Sequence, residues 1–268
     1  MKIVSFLCTY NDCEYLNESI ESFKWFCDKL FIVEGSWQSS QKFKTSGPRS
    51  NQQTYDIINK HVDNNKVFLV QANELREREQ RQIGLELAKK EKADWCFMLD
   101  SDEIYKKSTL LGIKSILQKN TENKNVLGFR LKSFNFINSF LKYYNGDYMR
   151  IYRVTPQASF FMDNDVEWPD SQGTILNIPD NLKFFHYNYV KQNSEQFWRK
   201  LFYQNEQDPS FNDRVRPQYN YDDLKKQYKI PDGCKIFDYV GSHPKIMTNH
   251  PYILENIFLD KEIKFGNQ

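Results

Sequence analysis

The chain has 268 residues, with 37 Lys and Arg against 35 Asp and Glu for a net charge of +2. That balance, with no basic block, gives no basis for a nucleic-acid or polyanion partner. Five cysteines, an odd number in no C-x-x-C spacing, argue against a zinc or disulfide framework and for a reducing compartment. No apolar run reaches the ~18 residues of a membrane helix. The expectation is a soluble, cytoplasmic protein with no transmembrane segment, and peripheral membrane contact is compatible with it.

In chain order, Ile3 to Cys8 predicts an opening buried strand. Asn11 and Glu14 predict a capping box. Behind it Leu16, Ile20, Phe23, Cys27 and Leu30 fall at helical spacing, for a helix over 13–28. Leu30 to Val33 reads as a second strand ending at Glu34-Gly35-Ser36. Residues 35–52 are polar and contain Gly47-Pro48, a loop of a length that is usually functional. A helix over 54–62, a strand over 67–70 and a charged helix over 74–92 follow, the last with Ile83, Leu87 and Ala88 on one face. Trp95 to Leu99 is apolar without alternation, the pattern of a strand covered on both faces. A helix over 108–118 comes next.

From Val126 to Phe185 the pattern predicts short strands and turns. After Asn193 it turns helical, with Phe197 and Leu201, and it closes in a loop-rich tail where His243-Pro244 and His250-Pro251 mark turns. Strand–helix alternation predicts an α/β fold with a parallel sheet and helices on both faces. A division near residue 190 separates a main domain, 1–190, from a helical and loop-rich extension, 191–268.

Asp100, Asp102 and Glu103 follow the 95–99 strand at once. In open α/β sheets ligands bind at the strands' carboxyl ends. Two carboxylates about 4 Å apart repel by ~4 kcal/mol at an effective dielectric of about 20, so a positive partner is required. A hard divalent cation suits oxygen ligands. Thr9-Tyr10-Asn11 and Glu34-Gly35-Ser36 end neighbouring predicted strands and converge on the same edge.

This ordered set resembles the glycosyltransferases of family 2, which have the GT-A fold. Thr9-Tyr10-Asn11-Asp12-Cys13-Glu14 matches their opening T-Y-N and acidic stretch. Phe31-Ile32-Val33-Glu34-Gly35-Ser36 matches their second strand, with Glu where Asp is usual. Arg81-Gln82-Ile83-Gly84-Leu85-Glu86-Leu87-Ala88 is similar to their R-N-x-G-x-x-x-A helix, with Gln for Asn, ahead of a D-x-D strand. The likeness covers about residues 2–105 in order, and residues 145–190 more loosely.

The resemblance implies a Rossmann-like three-layer α/β/α sandwich with a mostly parallel mixed sheet and a small helical C-terminal appendage. It implies a nucleoside-diphosphate sugar, UDP-linked, as donor, and a glycan or other hydroxyl as acceptor. Mn²⁺ or Mg²⁺ would act as a Lewis acid on the departing diphosphate. Thr9, Tyr10 and Asn11 would border the base, and Glu34 would accept from uracil N–H. Arg81 and Arg153 would hold the nucleotide, with Asp100 and Ser101 near the ribose. Asp100, Asp102 and His186 would form the metal site; imidazole suits Mn²⁺. Inverting transfer needs a base for the acceptor hydroxyl, implied at Glu167 first, with Asp165 and Asp170 next and Asp163 in the same cluster. Trp168, Tyr143, Tyr144 and Tyr148 offer faces for sugar stacking, although such residues are more often core.

Three other readings compete. A haloacid-dehalogenase-type phosphatase also uses D-x-D after an apolar strand, but its later acidic pair could fall only at Asp222-Asp223, with no strand before it. A nucleotidyltransferase would show a Gly-rich phosphate loop near the first strand, which is absent. A non-catalytic sugar-nucleotide-binding module is the third; donor turnover separates it from an enzyme.

Overall fold

A computed structural model of the protein describes residues 1–36, 49–137, 139–162, 165–169, 172–190 and 235–254. The first half alternates as expected: β1 (Ile3–Thr9), α1 (Leu16–Phe23), β2 (Lys29–Glu34), α2 (Gln52–His61), β3 (Val67–Gln71), α3 (Glu77–Lys90), β4 (Trp95–Asp100). Then come β5 (Glu103–Ile104), α4 (Lys107–Asn120), β6 (Val126–Ile137), β7 (Lys142–Arg153), β8 (Ser159–Phe160) and β9 (Val166–Glu167). The described remainder holds β10 (Thr174–Asn177), β11 (Phe184–Tyr189), β12 (Phe237–Asp238), a 3-10 turn at Lys245–Asn249 and a helical turn at Pro251–Leu254.

One ten-stranded sheet runs β3-β2-β1-β4-β7-β6-β11-β5, with β10 on β6 and β12 on β7. Pairing is parallel at β1–β2, β1–β4, β2–β3, β6–β10 and β6–β11. It is antiparallel at β4–β7, β6–β7, β5–β11 and β7–β12. Alternate side chains of each central strand enter opposite cores. Ile3, Leu7, Trp95, Phe97 and Leu99 pack with Leu16, Ile20 and Phe23 of α1, Ile58 of α2 and Leu110 and Ile113 of α4. Val4, Phe6, Cys96 and Met98 pack with Leu85 and Ala88 of α3 and with Phe160, Val166 and Trp168 around β8–β9. A strand covered on both faces has no polar position to display, which explains the unbroken apolar runs.

Three local expectations differ. The first helix begins at Leu16 and ends at Phe23, and no side chain caps it. Asn11 has a left-handed backbone, φ 52°, and turns to the α2 entry: its amide donates to Ser50 Oγ at 2.9 Å and its Oδ1 accepts from Asn51 N–H at 2.7 Å. In the second half, the expected run of short strands includes two 12-residue strands, β6 and β7, paired as a long antiparallel hairpin. The helical stretch after Asn193 lies outside the described residues, whereas β12, beyond the expected division, joins the main sheet. Among the described residues, no helix is long and apolar enough to cross a membrane.

Candidate functional site

Parallel pairing brings four strand ends to one edge: Cys8 lies beside Asp100, Thr9 beside Glu34, and Glu34 beside Gln71. Gly35 allows β2 and β3 to close there, since a Cβ on it would stand 2.4 Å from the Ala72 carbonyl oxygen. Three buried side-chain atoms at this edge, Thr9 Oγ1, Ser36 Oγ and Asn73 Oδ1, have no hydrogen-bond partner among the described residues. Buried polar atoms are rarely left unsatisfied, so the edge is equipped to bind polar ligand groups.

Two guanidinium groups offset the acidic run beyond β4. Asp100 receives Arg150 Nη2 at 2.6 Å and Arg81 Nη2 at 3.3 Å. Arg81 also pairs with Glu77, four residues earlier on α3. Arg150 reaches past Asp100 to Glu103 Oε1, with Nε at 2.9 Å and Nη2 at 2.5 Å, and stacks on Tyr148. Glu103 is fully buried and also accepts from Tyr105 Oη at 3.1 Å. Burial pushes the Asp100 carboxyl up, but Arg150 and Arg81 outweigh it and hold it below the usual range. At Glu103 burial prevails over Arg150, and the carboxyl titrates above its ordinary value.

The β5–β11 pairing sets His186 beside Glu103, and Tyr187 N–H donates to the Asp102 carbonyl at 3.0 Å. His186 Nε2 then faces Asp102 Oδ1 at 3.1 Å, both side chains buried. Octahedral Mg²⁺ holds oxygens at about 2.0–2.1 Å, which puts adjacent ligand atoms about 2.9 Å apart. A carboxylate oxygen and an imidazole nitrogen at this spacing fit two neighbouring positions of such a cation. Ligand atoms of Asp100, Glu103 and His186 also lie within 4.8 Å of one another. That grouping fits a cation less well, because Arg150 already bridges Asp100 and Glu103.

The edge thus gathers Thr9, Arg81, Asp100, Asp102 and His186, all expected from sequence. Other expected residues are engaged differently. Glu34 is fully buried, and its carboxylate accepts from Ser50 N–H at 2.7 Å and from the Tyr55 hydroxyl. It tethers the α2 entry instead of standing open to a base. Ser101 is buried and donates to Asp12. Tyr10 is half-buried, and Asn11 anchors the Ser50–Asn51 turn.

Arg153 is a correction. It pairs with Trp95, stacks on its ring at 4.2 Å, and donates to the carbonyls of Asn120, Thr121, Asn123 and Val126. Asp100 lies five positions along β4 from Trp95, about 17 Å of strand, so Arg153 stands at the opposite end of that strand from Asp100. Residues three apart on a strand face opposite ways, and that spacing separates Arg153 from Arg150. Glu167 is exposed and accepts from Ser159 Oγ at 3.3 Å, while neighbouring Trp168 donates to the Arg153 carbonyl at 3.0 Å. It therefore lies toward the Arg153 end, not with Asp102. Asp165 occupies the β8–β9 turn, where its carbonyl accepts from Phe161 N–H. The Phe161 carbonyl accepts from Arg78, on the first turn of α3. Asp163 and Asp170 lie outside the described residues.

The sequence places Glu103 in the acidic run, but neither it nor Arg150 nor Asn135 is among the site residues expected from sequence. Arg150 had a signal: a lone cation in the apolar stretch Met149 to Tyr152 needs a buried partner.

No protein-family model matches the chain, and no curated protein matches it. Among solved structures it is similar to S. aureus TarS 1-349 in complex with UDP-GlcNAc, at 16% identity and a TM-score of 0.46, over 77% of this chain and 66% of that one. A second is glucosyl-3-phosphoglycerate synthase from Mycobacterium tuberculosis with Mn²⁺, UDP-glucose and phosphoglyceric acid, at 14% identity and a TM-score of 0.33, over 50% of this chain and 43% of that one. A third is 4-diphosphocytidyl-2C-methyl-D-erythritol synthase from Anaerococcus prevotii, at 10% identity and a TM-score of 0.43, over 76% and 96%. The chain spans 37% of TarS 1-349 in its UDP complex and 66% in its UDP-GlcNAc complex.

Proposed function

We propose that the protein is a glycosyltransferase that moves a hexosyl or related sugar from a nucleoside-diphosphate sugar, UDP-linked, to a hydroxyl of a glycan or other acceptor, with inversion. One observation carries the reading: Arg81, Asp100, Arg150 and the Asp102–His186 pair meet at the common carboxyl edge of β1, β2 and β4. Thr9, Ser36 and Asn73 carry polar atoms with no partner among the described residues, which would suit the base and ribose at that edge. Arg81 supplies positive charge beside the diphosphate, and Arg150 keeps the Asp100 and Glu103 carboxylates from repelling it. Asp102 and His186 would hold Mn²⁺ or Mg²⁺, which as a Lewis acid stabilises the charge developing on the leaving diphosphate. Because Glu167 is engaged by Ser159, the role of base for the acceptor hydroxyl passes to Asp165 in this reading.

The test is a thermal-shift screen of nucleotide sugars with Mn²⁺, followed by donor turnover. Ligand at about 100 times its Kd adds about 2.7 kcal/mol, or roughly 5–10 °C of Tm for a chain of this size. The gain should disappear with chelator and in Asp102→Asn, which should also lose transfer while keeping its own Tm. No shift with any nucleotide sugar, with or without metal, would sink the reading.

A further inference from the structure

The imidazole of His186 is held on both sides. Nε2 faces Asp102, and Nδ1 lies 3.0 Å from Asn135 Oδ1. Asn135 is itself fully buried on β6, opposite Tyr144 of β7 and beside His186 of β11. Its amide is oriented by two further bonds: Ser133 Oγ donates to Oδ1 at 2.7 Å, and Nδ2 donates to Tyr148 Oη at 3.0 Å. Tyr148 carries the Arg150 guanidinium on its ring at 4.8 Å and keeps its own proton, because burial raises the phenol. Gly146 makes room for the group. A Cβ there would lie 2.4 Å from Asn135 Nδ2 and 2.5 Å from Ser133 Oγ.

We infer that Asn135 is a positioning residue: its amide oxygen accepts from His186 Nδ1–H, so that when a cation takes the place of the proton that Nε2 shares with Asp102 Oδ1, His186 would be held as the Nδ1–H tautomer with its Nε2 lone pair free to ligate. The inference rests on the proposed cation site and adds what orients it. An imidazole that ligates through one nitrogen is commonly locked by a hydrogen bond from the other, and losing that partner costs about 10–100-fold in metal affinity. The amide oxygen provides this lock without adding a further carboxylate beside Asp102, Asp100 and Glu103.

The first measurement uses the unmodified protein with nitrogen-labelled histidine, saturated with diamagnetic Mg²⁺. A proton on Nδ1 and none on Nε2 is expected; a proton kept on Nε2 in the loaded protein overturns the inference. The second is Mn²⁺ titration by calorimetry. Asn135→Leu, of similar volume but with no acceptor, should raise the Mn²⁺ Kd by about 10–100-fold, whereas Asn135→Asp, which keeps the oxygen but loses the Nδ2 donor, should lose less. Equal affinity in parent and Asn135→Leu overturns the proposal, as does equal loss in both variants, which marks a purely structural role. Should Asn135→Leu fail to fold, Ser133→Ala frees the amide to rotate and should move the tautomer and the Kd in the same direction by less; no movement of either overturns the proposal. A parent that binds neither Mn²⁺ nor Mg²⁺ removes the cation site and the inference with it, an outcome distinct from the wrong tautomer in a loaded parent.

Discussion

Arg150 balances the buried Glu103 carboxylate and the partly buried Asp100 carboxylate with one guanidinium, and its own side chain is 1% exposed. Breaking a buried ion pair by removing one partner costs about 3–5 kcal/mol, because a charge is left uncompensated. Arg150→Met should therefore lower stability by that order in urea denaturation. Adding Glu103→Gln should recover part of it, since Arg81 still serves Asp100. A loss below about 1 kcal/mol would mean Glu103 is already neutral beside Arg150. Glu167 makes the contrasting case. Its carboxylate is exposed and turned to Ser159, so Glu167→Gln should leave transfer near the parent rate; a fall of about 100-fold, the scale of a lost base, would return it to the chemistry. The D-x-D run and His186 were legible as residue types in the sequence. The division of labour among the acids was not, because it depends on which of them Arg150 and Arg81 reach.

Among the elements, α3 shows how closely the site is mounted on the sheet. Gly84 lies against β1, and a Cβ on it would stand 2.2 Å from Cγ of the buried Phe6 ring, which itself packs edge-on to Phe160. Overpacking of this kind costs about 1–3 kcal/mol, more than the helix propensity gained on replacing Gly, about 1 kcal/mol. Gly84→Ala should lower the denaturation midpoint, and Phe6→Leu in the same chain should restore part of it; an unchanged midpoint would show that α3 can lift from β1. Arg81 sits on this helix three residues earlier, so the close approach also fixes its reach to Asp100. The elements β1 to β4 were predictable because burial on both faces writes a continuous apolar run. The hairpin β6–β7 was not: its buried and half-buried positions mix Lys, Ser, Asn and Tyr with Phe and Leu, and strand length there is set by pairing between distant segments.

For the molecule as a whole, the described segment 235–254 is tied down by histidines. His243 donates from Nε2 to the Phe140 carbonyl, accepts at Nδ1 from Tyr187 Oη, and packs against Phe136 and Tyr239. His250 stacks on Tyr15 and bonds the Glu14 carbonyl, which links this segment to the loop that borders the candidate site. Burial pulls the His243 imidazole down from 6.5 to about 4. The unfolded chain thus takes up a proton below about 6.5 while the folded chain does not until about 4, and stability should fall as pH drops through that window. Thermal unfolding across it should show the slope, and His243→Gln should flatten it; an equal slope in the variant would assign the acid sensitivity elsewhere. By itself the sequence determined the α/β alternation, the four strand ends that carry polar residues, and the acids past Leu99, since periodicity and burial act over a few residues at a time. Only the tertiary structure decided that Arg150 faces the site and Arg153 the opposite end, that Glu34 is bound by Tyr55, and that Asn135 stands behind His186. Those are contacts between segments tens of residues apart, fixed by strand register and packing that no local pattern encodes.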